Sequence, residues 1–143
     1  MANIALTAAQ IGLVDPSKAK VKDYLAGSTI TKGQVVAMNT DGTVAPADGS
    51  AGGAYLFEQV VGIALQAAAA GYVVPVCEDG ELYGFTVASN SCGALLYLSD
   101  TTGAMEDATG TKTFILGRWT ALTDKSATKV VRIQIIRSQA VPT

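Results

Sequence analysis

The chain has 143 residues, 49% of them hydrophobic and only 15% charged. A chain of this length can bury roughly 70% of the surface its unfolded form exposes, so it needs no disulfide or metal to fold, and its low charge excludes disorder of the bulk. Histidine is absent. That removes Ser-His-Asp, Cys-His and His-metal mechanisms and argues against an enzyme or a resident cofactor.

Net charge is −2 and unevenly spread. Residues 33–111 hold no Lys or Arg and nine acids, whereas 112–143 carry six bases against Asp124 alone. An acidic middle with basic ends suits subunit–subunit contact, or packing of the ends onto the middle within one chain. With a pI near 4.9 and no basic stripe interleaved with aromatics, nucleic acid is not expected as a partner. Cys77 and Cys92 form no CxxC motif, and their spacing permits either one disulfide or two buried free thiols, the latter being favoured.

The first 27 residues have no obvious place in a barrel. Ile4, Leu6, Ile11, Leu13 and Val14 are spaced apolar positions among alanines, followed by the break Asp15-Pro16. Lys18, Lys20 and Lys22 then fall on one face of an extended chain. An apolar arm without its own core is disordered, forms an extra strand on its own barrel, or docks elsewhere. The expectation is docking onto a neighbouring subunit or a larger shell, with the Ile and Leu side chains as anchors and the lysines meeting acidic surface. A helix over 15–25 or 66–70 has no convincing apolar stripe.

Strand signals dominate from residue 30. Gln34-Val-Val-Ala-Met38 leads into the Asp41-Gly42 turn and a return strand at Thr43-Val-Ala45. The apolar stretch 60–76 is broken by Gly62, Gly71 and Pro75, which suits two core strands better than a membrane span. Glu78-Asp-Gly-Glu81 reads as another turn. After it, Tyr83, Phe85 and Val87 share one strand face, and Leu82, Gly84 and Thr86 the other. Strands follow at 94–98, 113–119 and 129–136, the last alternating Val131, Ile133 and Ile135 with Arg132 and Gln134. About eight or nine short strands at this spacing mean an all-β barrel or sandwich. The expected core includes Val35, Val61, Ile63, Val74, Phe85, Leu96, Leu116, Val131 and Ile133, with Trp119 and Phe114 also read as core.

The chain also repeats itself at an offset of roughly 55–60 residues, too loosely for a solenoid. Gly33-Gln-Val-Val-Ala-Met38, Asp41-Gly-Thr-Val44, Val61-Gly-Ile-Ala-Leu65 and Val73-Val-Pro-Val76 match Gly93-Ala-Leu-Leu-Tyr-Leu98, Asp100-Thr-Thr-Gly-Ala-Met105, Leu116-Gly-Arg-Trp119 and Val130-Val-Arg-Ile133 in order. Two loosely repeated halves closing one barrel is the economical account, against chance resemblance among hairpins. Chemistry-bearing motifs are weak: Gly110-Thr-Lys-Thr113 has the wrong spacing and order for a P-loop. The acids Glu78, Asp79, Glu81, Glu106 and Asp107 sit beside turn glycines, where solubility explains them better than a metal.

Taken together, Thr31–Met38 with Asp41–Val44, Val60–Leu65, Ala70–Val76 with Gly80, Leu96–Asp100 with Gly103, Ile115–Arg118 and Val130–Gln134 resemble a family of tailed-bacteriophage capsid decoration, or cement, proteins. The resemblance covers residues 28–137 and rests on turns and core positions. It implies a small β-barrel or β-tulip domain over 28–143, preceded by an N-terminal arm over 1–27. It further implies a homotrimer on the outer surface of the virion, bound to the major capsid protein and clamping neighbouring capsomers, with no membrane partner. The competing class is a host- or carbohydrate-contacting module displayed on the particle, which requires an exposed aromatic cluster.

Overall fold

A computed structural model describes residues 4–47, 60–85, 92–108, 114–122 and 125–135. The strands are β1 (Gly12–Leu13), β2 (Lys20–Leu25), β3 (Val35–Met38), β4 (Val44–Pro46) and β5 (Val60–Ala64), then β6 (Val73–Tyr83), β7 (Leu95–Leu98), β8 (Met105–Glu106), β9 (Ile115–Leu122) and β10 (Lys125–Gln134). They form one antiparallel sheet in the order β4-β3-β5-β6-β10-β9-β7-β8, and it curls into a half-barrel. The remaining strands, β1 and β2, both pair with β6. The all-β expectation is thus met. Short 3-10 turns at Ala8–Gln10 and Pro16–Lys18 are the only helical segments among the described residues.

The two-part repeat is visible in the strand registers. Val36 lies opposite Gly62 and Leu96 opposite Gly117, and a bulge follows immediately in each pair of strands. Met38 faces Val44 as Leu98 faces Met105, and Ile63 faces Cys77 as Arg118 faces Arg132. The match extends to β2, because Val21 faces Cys77 as Glu81 faces Arg132. Shifting by 60 residues carries Val21 onto Glu81 and Val36 onto Leu96; shifting by 55 carries Gly62 onto Gly117 and Cys77 onto Arg132. Each unit therefore contains five strands in one plan, and β6 belongs to both. Its first half ends the first unit and its second half begins the second.

That double duty corrects the turn expected at Glu78-Asp-Gly-Glu81, where β6 runs straight through. Asp-Gly is a turn signal only where the backbone has no ladder to join, and here both edges are occupied. Asp79 pairs with Lys20 on one side and Gln134 on the other. Gly80 is needed for space, since a Cβ there would lie 2.9 Å from that of Ala19. The strand expected over 82–87 instead stops at Tyr83. Gly84 takes a φ of +101°, so Leu82 and Phe85 are both buried while Tyr83 is exposed. Positions 86 and 87 lie outside the described residues. At Asn39–Thr43 the expected tight turn forms. Asp41 accepts the Thr43 hydroxyl at 2.7 Å and its N–H at 3.0 Å, which hold the carboxyl below its ordinary value.

All nine expected core residues are buried. Most line the inside of the curl with Leu82, Leu98, Met105 and Trp119. Val61 and Val74 belong to a second cluster on the outer face of the first unit, with Tyr24, Ile30, Val36, Val44 and Val76. Phe114 packs against the inner core from a partly buried position. The curl is pinned where Gly103 donates its N–H to Ala47 O at 2.7 Å and accepts that of Val35 at 3.0 Å. The stretch 60–76 supplies β5 and the start of β6, and no helix among the described residues is long and apolar enough to cross a membrane.

Candidate functional site

The contact site expected in the N-terminal arm follows from how the arm meets β6. Gly12 and Leu13 pair with Tyr83 and Leu82, and Lys20–Leu25 pair with Asp79–Val73, so the arm runs along one entire edge of β6. Between the two ladders the turn Pro16–Lys18 interrupts the path without reversing it. Asp15 caps that turn by accepting the Ser17 hydroxyl at 2.7 Å and its N–H at 3.1 Å, and these bonds hold its carboxyl below the ordinary value. Proline at the first helical position fits the fixed φ it brings.

The side chains divide into two sets. Ile4 and Ile11 are buried in the inner core, and the Ile4 N–H donates to Met105 O at 2.7 Å. Ile11 is held against Gly33 and Gly84, where added Cβ atoms would lie 3.2 Å and 2.7 Å from its side chain. Leu13 packs against the same core, and the half-buried Val14 donates its N–H to Glu81 O at 2.9 Å. Leu6 is exposed and bridges to Phe85. The arm is therefore an extra strand on its own sheet, and Ile4 and Ile11 are spent inside it. Lys18, Lys20 and Lys22 are all exposed, but Lys18 lies in the 3-10 turn and only Lys20 and Lys22 stand on β2.

Two residues that sequence reasoning passed over fasten β2 to β6. The buried Tyr24 donates its hydroxyl to Oε2 of the buried Glu78, and the Lys20 ammonium lies 3.5 Å from Oε1. Lys22 places its Nζ 5.2 Å from the centre of the Tyr24 ring. The available signal was the alternation in Lys20-Val-Lys-Asp-Tyr-Leu25, which makes Tyr24 a same-face neighbour of both lysines. Tyr24→Phe removes one charge-assisted hydrogen bond from a buried carboxylate and is expected to cost about 1–3 kcal/mol, read from urea unfolding midpoints.

The acids do not gather into a cation site. Among the described residues, no group of three or more His, Cys, Asp or Glu side chains is arranged to hold a metal. Glu106 is buried in the β7–β8 hairpin, where its Oε1 accepts the Ser99 hydroxyl at 2.7 Å and the Asp100 N–H at 3.3 Å. Ser99 in turn accepts the Thr101 N–H at 2.9 Å. Glu106 thus organises a turn.

The cysteines are both free, and only Cys77 is buried, so the pair of buried thiols expected from the sequence is half correct. Burial pushes the Cys77 thiol up to about 11, leaving almost no thiolate at neutral pH. A maleimide titration of the native protein at pH 7.5 is expected to modify Cys92 within minutes. Cys77 should react only after unfolding.

With this geometry in hand, the chain was compared with known protein families and with characterised proteins, and neither comparison returned a match.

Proposed function

We propose that the chain is a structural virion protein that binds the outside of a phage head as a trimer and stabilises the shell by clamping neighbouring capsomers. The observation that carries this reading is the resemblance of its strand-and-turn motifs to capsid decoration proteins. Those motifs form β3–β6 and β7–β10, two units on one plan that share a strand. Such a block is rigid and presents broad surface, which suits contact as its task. The arm adds to that block, and any grip on a shell falls to its exposed face, including Lys20, Lys22 and Leu6.

The test is to add purified protein to phage heads that lack it and follow sedimentation and thermal disruption. The reading expects saturable binding in multiples of three and heads that survive to higher temperature. Heads that sediment without the protein at low and high salt, and melt unchanged, would overturn it.

A further inference from the structure

We propose that the outer edge of β2 is a docking site for an extended strand of another protein, acidic on one face and apolar on the other. Among the described residues this edge stands apart from the others. The edge of β4 is met by Gly27, whose N–H donates to Val44 O at 2.8 Å, and β8 is met by the Ile4 N–H. The second half of β6, which is the counterpart of β2 in the other unit, has its outer edge covered by Gly12, Leu13 and Val14. No described strand lies beyond β2, which pairs with β6 alone. The duplicated plan is therefore capped in one unit and open in the other.

The open edge is well formed. The Ala26 N–H donates to Tyr72 O, so the antiparallel alternation turns the backbone groups of Tyr24 and Lys22 toward β6 and those of Val21, Asp23 and Leu25 outward. Four of the exposed large hydrophobic residues collect here, Val21 (41% exposed), Leu25 (46%), Val73 (59%) and Tyr72 (68%), with Leu25 directly across from Val73. An unpaired edge beside an apolar row is an adhesive surface that folded proteins normally cover.

Charge selects the occupant. Two copies of β2 pairing across a two-fold must set same-face residues opposite one another. Registers centred on Val21, Lys22 or Asp23 then oppose like charges, and one centred on Tyr24 sets Asp23 against Leu25. A different strand meets no such clash if it offers acids to Lys20 and Lys22, a base to Asp23, and apolar side chains to Val21 and Leu25. Main-chain bonds supply affinity in this mode and alternate side chains supply specificity. The inference goes beyond the head reading and stands without it, because the recognition chemistry belongs to the edge itself.

The probe is the peptide Val-Thr-Lys-Glu-Val-Glu, with Val-Thr-Glu-Lys-Val-Lys as its charge-swapped partner, each titrated to millimolar concentration against the full chain. Amide exchange followed by NMR is expected to slow at Val21, Asp23 and Leu25 with the first peptide and to need at least tenfold more of the second. Asp23→Pro, which removes an outward N–H and leaves the ladder to β6 intact, is expected to abolish the effect. Val21→Glu, which keeps the backbone and repels the acidic strand, is expected to weaken it at least tenfold. Unchanged exchange at the three amides, or equal response to both peptides, would overturn the proposal. So would a concentration-dependent dimer that protects the same amides without peptide, in favour of a second copy.

Discussion

Gly117→Ala is expected to destabilise the fold by about 3 kcal/mol or more, and Gly62→Ala by a comparable amount. A Cβ at Gly117 would lie 1.8 Å from the carbonyl oxygen of Arg132, and one at Gly62 would lie 2.1 Å from that of Cys77. In both cases the obstacle is backbone on the neighbouring strand, so relief requires prising apart β9 from β10 or β5 from β6. No rotamer change avoids it. Gly12→Ala is the control, because nothing lies within 4 Å of a Cβ built there. Urea unfolding of the three variants is the measurement, with Gly12→Ala expected within about 1 kcal/mol of the parent.

Deleting residues 2–22 is expected to do more damage still, leaving a chain that fails to fold or aggregates. The deletion removes Ile4 and Ile11 from the core, and truncating a buried Ile to Ala alone costs about 2–5 kcal/mol. It also strips β1 and half of β2 from β6, leaving the backbone of a central strand unpaired along one side. Circular dichroism and size-exclusion chromatography of the truncated chain decide the matter. A soluble, folded product of unchanged stability would mean that the arm's packing contributes nothing.

The division between what was legible and what was not follows the range of the interactions. Alternation within a single strand identified Val131 and Ile133, and glycine-bounded runs identified Leu96 and Leu116, because these patterns are local. The repeat was readable for the same reason. The fate of the arm was not, because Ile4 and Ile11 look alike in sequence whether their cover is their own β6 or another molecule. Only the free edge of a strand some 60 residues away decides between them. Glu78 was misread along with its neighbours: an Asp-Gly pair signals a turn locally, and only pairing on both sides by Lys20 and Gln134 keeps it extended. Its bond to Tyr24 was therefore invisible.

The strand shared by the two units also dictates how the chain comes into being. A tandem repeat with a linker between its copies could let the first copy fold while the second is still being made. Here Glu81 and Leu82 await Arg132 and Val131, which lie near the far end of the chain. Residues 12–83 can emerge from a ribosome and arrange one edge of β6, yet its second half keeps an open side until residue 134 is out. Synthesis at about 5–20 residues per second makes that a wait of several seconds with a sticky strand on show. Folding then becomes a single late event dominated by distant pairings, the slow kind. A ribosome stalled before Val131 would hold a chain whose amides exchange freely over 79–83, and release of the last dozen residues would protect them together.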